Sequence, residues 1–519
     1  MTGEIIRGRE LELERDLVID ADVVVIGSGA GGAVVAAELA EAGQRVVVLE
    51  EGQHLPVEQY QRMRPSEHIR RVWRDGAMTM AFGVGDSPTI NVTMGKGVGG
   101  SSALTGGVCF RTPDRVLDVW VRARGLAELS PAKLAPFFDE VERASHVEDV
   151  PLSMRSRSTE LFAEGAARVG LEVLPMRRNT RGCHGCGRCN FGCPHGAKMS
   201  VDRTYLPRAV AAGARIFSDC LVDELVIVGE HAVGVRGRVL TRHAPRRWLL
   251  GTRRFPRFEV RARRVVLAAG SYHTPLLLAR AGVGRASGQV GRNMTLHPGF
   301  RVFARFDEPV RGWRGALQSA YSDTLERDRI TFTSLFVPAG VLAATMPGIG
   351  PAHVAAAKHV PHLTVFGGMI HDEGGGVVRP GPGREPFVTY RMAPEDRAAI
   401  PKLIRAMSEA FFAAGAREVL PPILGQPGVD ADAFRQLDLE HIPATKLEVS
   451  SQHPLGTARM GSTREHSVVD PYGQTWDVKD LYVADGSIVP TSLGVNPQES
   501  IMAMALRVAW IMRDRPLPA

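Results

Sequence analysis

Four of the six cysteines of this chain stand close together, at Cys183, Cys186, Cys189 and Cys193. Their spacing, C-x2-C-x2-C-x3-C-P, is that of the cluster-binding run in bacterial ferredoxins, so an iron–sulfur cluster is one interpretation. Zinc normally uses two pairs of ligands separated by about a dozen residues or more, so this compact run suits it poorly. A disulfide is disfavoured in a reducing cytoplasm, and reduced thiols in a glycine-rich loop are a further interpretation.

A second group of residues has the spacing of a dinucleotide site. Gly27, Gly29 and Gly32 form G-x-G-x-x-G, and Glu50 follows further along the chain. Glycines in this pattern let backbone N–H groups approach a pyrophosphate at the N-terminus of a helix. A carboxylate after the second strand accepts hydrogen bonds from an unphosphorylated ribose, which favours FAD or NAD over NADP.

The elements around these residues agree with that interpretation. Apolar and helical periodicity predicts a βαβ unit with its strand, helix and second strand at residues 23–26, 33–41 and 45–49. At 519 residues the chain is long for a single core, so we expect two domains. An apolar fraction of 44% and a charged fraction of 23% are ordinary for a globular protein.

The net charge of +7 is small for this length, and its densest source is the arginine-rich segment 236–264. We interpret that segment as a solvated hairpin, with a docking surface for an acidic partner or a membrane as the alternative. No nucleic-acid motif accompanies it. The N-terminal residues lack the apolar core of a signal peptide and a twin-arginine start, so we expect a cytoplasmic protein.

Together with the βαβ unit, several further motifs resemble the glucose–methanol–choline (GMC) family of FAD-dependent oxidoreductases. The motifs extend from residue 22 to beyond residue 500, so the resemblance covers nearly the whole chain. In order, they are GKGVGGSS at 95–102, GSYHTP at 270–275, GRN at 291–293, HP at 297–298, HPLGTARMG at 453–461, VADGS at 483–487 and GVNP at 494–497.

Within the family, the chain is most similar to the long-chain alcohol oxidases and their bacterial relatives. The features that carry this likeness are FRTP at 110–113 with Trp120, the cysteine loop, TYLPRA at 204–209 and the apolar stretch 338–357. One departure is Thr105, because the family commonly has an asparagine there, near the flavin. A threonine can still form a hydrogen bond, but an asparagine-specific role is not carried over.

The resemblance implies an α/β protein with GMC architecture. We expect a Rossmann-like FAD-binding domain and an α+β substrate domain built on an antiparallel sheet. The expected FAD-binding domain comprises 18–115, 197–299 and 447–519, with a cap region and cysteine loop at 116–196 and the substrate-binding domain at 300–446. Alternating apolar residues predict strands at residues 300–306, 331–337, 363–370 and 377–392. Helical periodicity predicts a helix behind them at residues 396–414.

The resemblance also implies which residues hold FAD. The glycine-rich loop at 95–102 would run along the flavin and pyrophosphate, and the turn at 485–487 would lie near the ribityl chain or pyrophosphate. The expected cofactor-binding residues are Gly27, Gly29, Gly32, Glu50, Gly95, Gly99, Gly100, Ser101, Ser102, Thr105, Asp485, Gly486, Asn496 and Pro497.

Oxidation of an alcohol requires a base beside the hydroxyl oxygen and a hydride acceptor that faces the carbon, and the flavin supplies the acceptor. His453 is the best candidate for the base, because an imidazole titrates near neutral pH and the following proline and glycine suit a fixed loop. By the family's pattern, Asn496 is its partner and holds the same substrate oxygen. We interpret His297 as structural, and we do not include His273 in the site.

The stretch 334–357 carries no formal charge. Its prolines and glycines would break a membrane-spanning helix, so we interpret it as a substrate-lining or lipid-facing loop, with an ordinary buried segment as the alternative. An apolar wall suits a hydrophobic small-molecule alcohol better than a sugar. We therefore expect no transmembrane segment, and contact with a membrane surface is compatible with the loop.

The cysteine run bears on where the electrons go. The spacing of Cys183, Cys189 and Cys193 resembles that of the family's membrane-linked bacterial sugar dehydrogenases, in which a three-iron cluster passes electrons from flavin to a cytochrome. An electron-acceptor protein would then be the partner. Without a cluster, the protein would be an oxygen-using alcohol oxidase. An FAD-binding lyase and an electron-transfer subunit are the remaining alternatives.

Overall fold

The computed structural model of the protein describes residues 3–244, 254–336, 338–346, 349–514 and 517. Two large sheets dominate these residues, and a smaller pair of strands, Val147–Asp149 and Arg177–Asn179, lies apart from them. The two large sheets have separate hydrophobic cores. This arrangement agrees with the expected α/β fold that combines a Rossmann-like sheet with a second, mainly antiparallel one.

The first sheet is built around the valine-rich strand Leu17–Ile26. The valines at 23–25 are fully buried, because parallel strands flank this strand on both sides. Across the described residues this sheet has eight strands, in the order Glu4–Arg7, Arg215–Ser218, Val46–Leu49, Leu17–Ile26, Arg257–Leu267, His231–Val239 and Cys220–Val228, with Leu481–Val483 also paired to Arg257–Leu267.

Helix Ala30–Glu41 connects the first two strands of the predicted βαβ unit and begins three residues earlier than the periodicity indicates. It packs against helices Tyr205–Ala211 and Gln498–Met512. Only a glycine fits at position 31, because a Cβ atom there would lie 1.7 Å from the carbonyl oxygen of Ala484. The βαβ unit predicted from the sequence is therefore confirmed.

The second sheet contains the strands predicted from alternating apolar residues. In the part of the chain that the structure describes it has eleven strands, in the order Gly375–Pro380, Pro386–Arg391, Met80–Gly83, Ile90–Val92, Val449–Ser451, Gly299–Arg305, Leu363–Ile370, Ile330–Ser334, Ala320–Ser322 and Leu174–Pro175, with Glu418–Leu420 also paired to Gly299–Arg305. The predicted stretch 377–392 is a hairpin of two strands, and residue 337 lies outside the described residues.

The two faces of this second sheet have different surroundings. Helix Pro394–Ala413 and helix Arg157–Arg168 cover one face, where Phe162 stacks on Phe366 with ring centroids 3.6 Å apart. Because side chains alternate along a strand, the residues next to Phe366 point to the other face. That face is turned towards a cavity between the two sheets.

The division into domains remains a prediction. The strands Met80–Gly83, Ile90–Val92 and Val449–Ser451 fall within the ranges assigned to the FAD-binding domain, but they pair in the second sheet. The remaining α-helices of the described chain are Val57–Arg62, Pro65–Val72, Asp114–Arg124, Pro131–Ser145, Gly270–Arg280, Ala339–Thr345, Gly350–Ala357 and Ala431–Gln436.

Two segments singled out in the sequence have defined structures. The uncharged stretch forms the short helices Ala339–Thr345 and Gly350–Ala357 rather than a loop. The arginine-rich segment supplies the antiparallel strands His231–Val239 and Arg257–Leu267, and its arginines at 246, 247 and 253 lie outside the described residues. Among the described helices, none combines the length and the apolar character that crossing a bilayer requires.

Candidate active site

A cavity of about 430 Å³ lies between the two sheets and is lined by residues from both. Most residues predicted from the sequence come together on its wall. Those that line it are Gly27, Gly29, Glu50, Gly95, Gly100, Ser101, Ser102, Thr105, His453, Asp485, Gly486, Asn496 and Pro497. Gly32 and Gly99 do not line it. Both lie behind the wall, where the neighbouring atoms are packed too closely for a larger residue.

The glycine loops form a cradle that side chains would fill. Gly27 has φ +99°, in the region that favours glycine, and a Cβ atom on Gly32 would lie 2.1 Å from the carbonyl oxygen of Gly27. A Cβ atom on Gly100 would lie 2.7 Å from Cα of Gly29, so two loops distant in sequence approach each other here. The N-terminus of helix Ala30–Glu41 opens onto the same space, which suits a pyrophosphate.

Glu50 lies at the end of the second strand and is buried. Its carboxylate accepts hydrogen bonds from the backbone N–H of Ser28 at 3.1 Å, from Ser28 Oγ at 2.7 Å and from the backbone N–H of Gly52 at 2.8 Å. Burial raises the pKa of Glu50 above its ordinary value. A carboxylate held in this way at the cavity wall is suited to the ribose hydroxyls of FAD.

Other polar residues of the predicted set hold the loops in shape. Ser101 Oγ accepts the backbone N–H of Gly95 at 2.9 Å, and Thr105 Oγ1 donates to Gln498 Oε1 at 3.1 Å. Asp485 Oδ2 accepts the backbone N–H of Gly270 at 2.8 Å, where helix Gly270–Arg280 begins. The cradle, the buried carboxylate and the chemistry of these donors fit FAD.

His453 and Asn496, the two predicted catalytic residues, face each other on the cavity wall. His453 Nε2 lies 3.1 Å from Asn496 Nδ2, and His453 Nδ1 lies 3.2 Å from His297 Nδ1. The backbone N–H groups of Leu493 and Gly494 donate to His297 Nε2 at 3.0 and 3.1 Å. Since His297 Nε2 is an acceptor, the neutral His297 ring carries its proton on Nδ1 and donates it to His453.

The surroundings of the two rings keep them neutral. Burial lowers the pKa of His453 to about 4, from an ordinary value of 6.5. Burial, together with the neighbouring rings of His453 and His371, lowers the pKa of His297 well below that ordinary value. Only one proton can sit between the two Nδ1 atoms, so the two rings are not protonated together.

His297, interpreted from the sequence as structural, lies with its ring against the proposed base. His297 has φ +49°, and Asp372 holds its backbone by accepting the N–H groups of Leu296 and His297, both at 2.9 Å. The hydroxyl of Tyr390 donates to Asp372 at 2.8 Å. The His-Pro step marks this position in the sequence, but the contact with His453 joins residues too distant for any local pattern to reveal.

The substrate side of the cavity is mainly apolar. Phe336 and Met369 contribute to the wall, together with the polar side chains of Gln318 and Thr333. Arg301, which the sequence analysis did not single out, also lines it. Of the uncharged stretch, the residues that reach this wall are those just before helix Ala339–Thr345, so its expected role in lining the cavity holds only for its beginning.

The four cysteines of the loop are all free thiols. Among the residues with described coordinates, no group of three or more His, Cys, Asp or Glu side chains is arranged to hold a metal ion. The side-chain arrangement therefore does not support the predicted metal ligands Cys183, Cys186, Cys189 and Cys193. A small second cavity beside these thiols shares Leu317 with the large one, so the loop adjoins the candidate active site.

Two solved structures share this fold along almost the whole chain. Pyridoxine 4-oxidase from Mesorbium loti aligns with a TM-score of 0.71 at 20% identity, over 95% of this chain and 99% of that chain. Formate oxidase from Aspergillus oryzae aligns with a TM-score of 0.70 at 17% identity, over 96% of this chain and 98% of that chain. Fold and cavity together define the class as a two-sheet α/β protein with a large cavity between its sheets.

Models of the GMC oxidoreductase family match residues 21–299 and 382–505. The chain belongs to the GMC oxidoreductase family. This membership confirms the family and fold expected from the sequence, and it makes the protein a flavin-dependent enzyme that acts on CH–OH groups.

Two relatives extend over nearly the whole chain. An uncharacterized GMC-type oxidoreductase of Mycobacterium tuberculosis is 37% identical over 96% of this chain and 77% of its own length. The long-chain-alcohol oxidase FAO1 of Arabidopsis thaliana is 28% identical over 97% of this chain and 68% of its own length.

Proposed function

We propose that the protein oxidises a hydrophobic alcohol to the carbonyl compound, with His453 as the base. The observation that carries this proposal is the contact between His453 Nε2 and Asn496 Nδ2, 3.1 Å apart on the wall of the cavity whose other side fits FAD. An alcohol oxygen placed before this pair would meet a ring nitrogen and an amide at once. Bound FAD supplies the acceptor for the hydride.

Asn496 orients the alcohol in this proposal. Its Oδ1 atom is buried and has no hydrogen-bond partner among the residues that the structure describes. A buried polar atom left in this state is costly. A side-chain amide can turn so that Nδ2 takes this position and donates to the substrate oxygen, which leaves the hydroxyl proton for His453. Asn496 therefore binds the oxygen from which His453 takes the proton, and the two residues align the carbon for hydride loss.

His297 places a condition on the proton transfer. Its donated bond to His453 Nδ1 leaves the neutral His453 ring with its proton on Nε2, the atom that must accept the hydroxyl proton. The amide of Asn496 then turns its oxygen towards that proton, since amide orientation follows the hydrogen-bond network. Alcohol binding must therefore loosen the His297–His453 contact, so that His453 holds its own proton on Nδ1 and presents a free Nε2.

The hydrophobic substrate is supported by the apolar wall around Phe336 and Met369 and by the similarity to a long-chain-alcohol oxidase. A sugar would lose hydration that few polar groups here could replace.

Anaerobic addition of primary aliphatic alcohols, with cyclic, sterol and sugar alcohols for comparison, tests the proposal. The flavin absorbance should bleach with the aliphatic alcohols. His453→Gln should slow bleaching about 100- to 10,000-fold, the usual contribution of a positioned base, while FAD stays bound. His441→Gln is the matched control, because His441 is exposed and paired with Asp438 far from the cavity. Absence of bleaching with every alcohol would overturn the proposal.

An iron–sulfur cluster on the cysteine loop is a second candidate for the acceptor of the flavin's electrons, beside oxygen. Arg178 and Lys198 are both buried next to the thiols, and Arg178 Nη2 donates to Cys189 Sγ at 3.0 Å. Lys198 Nζ donates to the carbonyl groups of Ala103, Thr105 and Cys189 at 2.7, 2.8 and 3.1 Å. In the described chain neither cation forms a salt bridge, and the nearby charge of Asp202 acts on Lys198 alone, so an anionic group held by the thiols would balance Arg178.

Iron and acid-labile sulfide, measured on protein purified without oxygen, decide between these routes. A cluster predicts both in stoichiometric amounts and their loss in Cys189→Ser, with Cys220→Ser as the control because Cys220 lies outside the loop. Protein that contains FAD alone and consumes oxygen with the alcohol would reject the cluster and the separate electron-acceptor protein.

A further inference from the structure

Of the described residues of the second sheet that line the cavity, one has a charged side chain, Arg301, and that charge needs an explanation. Arg301 lies on strand Gly299–Arg305, opposite Gly367 of strand Leu363–Ile370, and its side chain lines the large cavity. Side chains alternate along a strand, so Arg301 and Phe303 share the face opposite to the Phe300 face that packs in the core. The position therefore directs a cation towards the substrate.

The other arginines of the cavity wall have partners. Arg74 and Arg384 form salt bridges with Glu51 at 2.8 and 2.6 Å, and Arg280 Nη2 donates to the carbonyl oxygen of Arg384 at 3.3 Å. These three lie with Glu51, on the side of the cavity that fits the cofactor. Their charges are already compensated or hydrogen-bonded inside the protein.

Arg301 differs from them. Among the described residues it has no hydrogen bond within 3.5 Å and no salt bridge within 4.0 Å. The charge of Glu448, which the antiparallel register places beside it, acts on it from further away, and burial lowers its pKa. The residue opposite Arg301 is Gly367, and the side chain of Leu335 packs over it, so apolar wall adjoins the guanidinium group. A guanidinium group that faces a cavity with its five donors in a fixed fork, none of them hydrogen-bonded within the described residues, is a ready site for a carboxylate.

We propose that the alcohol substrate carries a carboxylate, and that Arg301 binds it while His453 and Asn496 hold the hydroxyl end. The inference rests on the proposed alcohol oxidation and deepens it by naming the substrate class, an aliphatic hydroxy acid. The apolar wall at Phe336 and Met369 contacts the chain between the two polar ends. No covalent step is added, because the carboxylate is bound and remains unchanged.

The test compares ω-hydroxy fatty acids with their methyl esters and with plain primary alcohols of matched chain length. For the FAD-loaded wild type, kcat/KM should be about 10- to 100-fold higher for the acid than for its ester, the usual range for a charge-assisted hydrogen bond. Arg301→Gln should remove that preference and leave the ester unchanged. Arg305→Gln should leave both unchanged, because Arg305 lies on the same strand but pairs with Glu418.

A second measurement does not depend on turnover. Alkanoates, which lack the hydroxyl group, should perturb the flavin absorbance of the holoenzyme on binding, with an affinity at least about tenfold weaker in Arg301→Gln. Equal oxidation of acid and ester by the wild type would overturn the inference while leaving alcohol oxidation intact. Equal slowing of both by Arg301→Gln, or loss of FAD from it, would show a structural or cofactor role. A preference for hydroxyalkyl phosphates over hydroxy acids would overturn the carboxylate assignment.

Discussion

The pH dependence of flavin reduction tests the role of His453 most directly, since only a neutral imidazole can take a proton. Burial lowers the pKa of His453 to about 4. A histidine with a lowered pKa is neutral above that value and becomes charged only as the pH falls through it. Activity should therefore persist to unusually acid pH and be lost below it.

The size of the effect follows from the pKa. At pH 6 a ring with a pKa of about 4 is about 99% neutral, whereas a ring with the ordinary value of 6.5 would be only about one quarter neutral. We expect the reduction rate at pH 6 to lie within a few per cent of that at pH 8. The rate should fall to half near pH 4, and below that by about tenfold for each pH unit.

The assay is anaerobic stopped-flow reduction at constant ionic strength and saturating alcohol, read from the loss of flavin absorbance. Asp372 is the group that could imitate the expected limb, because burial raises its pKa to about 6 and it holds the backbone of His297. Asp372→Asn separates the two, since it removes a limb due to Asp372 and leaves one due to His453. FAD content and thermal unfolding of each variant show whether it is intact.

Two results would refute the reasoning. One is a half-maximal rate between about pH 6 and 7 that survives in Asp372→Asn, because the base would then titrate like an ordinary solvent-exposed histidine. The other is an unchanged profile in His453→Gln, because the titrating group would then lie elsewhere.

Three further predictions concern other parts of the molecule. His297→Asn should move the acid limb of the flavin-reduction rate upward from about pH 4, because asparagine can accept a hydrogen bond from His453 Nδ1 and tolerates the left-handed φ at this position. An unmoved limb would contradict the His297–His453 bond. Gly100→Val should yield protein that folds but retains little FAD on gel filtration, because even its Cβ atom would lie 2.7 Å from Gly29 Cα; full flavin content would contradict the cradle. Phe162→Ala should lower the free energy of unfolding by about 3–5 kcal/mol in chemical denaturation, since its ring is fully buried against Phe366, and a loss under about 1 kcal/mol would contradict that packing.

Much of the cofactor side could be predicted from the sequence, because its signals are local. The glycine pattern at 27–32 predicts a tight turn and close packing, and φ +99° at Gly27 together with the buried carboxylate of Glu50 agrees with that pattern. The strands of the second sheet were predictable for the same reason, since alternation is read within a few residues. The helices at 339–345 and 350–357 were missed because prolines and glycines there indicate turns. In the structure, Pro338 immediately precedes the first helix and Pro351 lies in the first turn of the second.

Residue types at fixed short spacings are enough to predict the family, a nucleotide-binding loop and a candidate base. What surrounds that base depends on the tertiary structure. His297 meets His453, and Arg301 faces the same cavity, because strands far apart in the chain pair in one sheet. Burial, which lowers the pKa of both His453 and Arg301, is a property of that packing and has no local signature in the sequence.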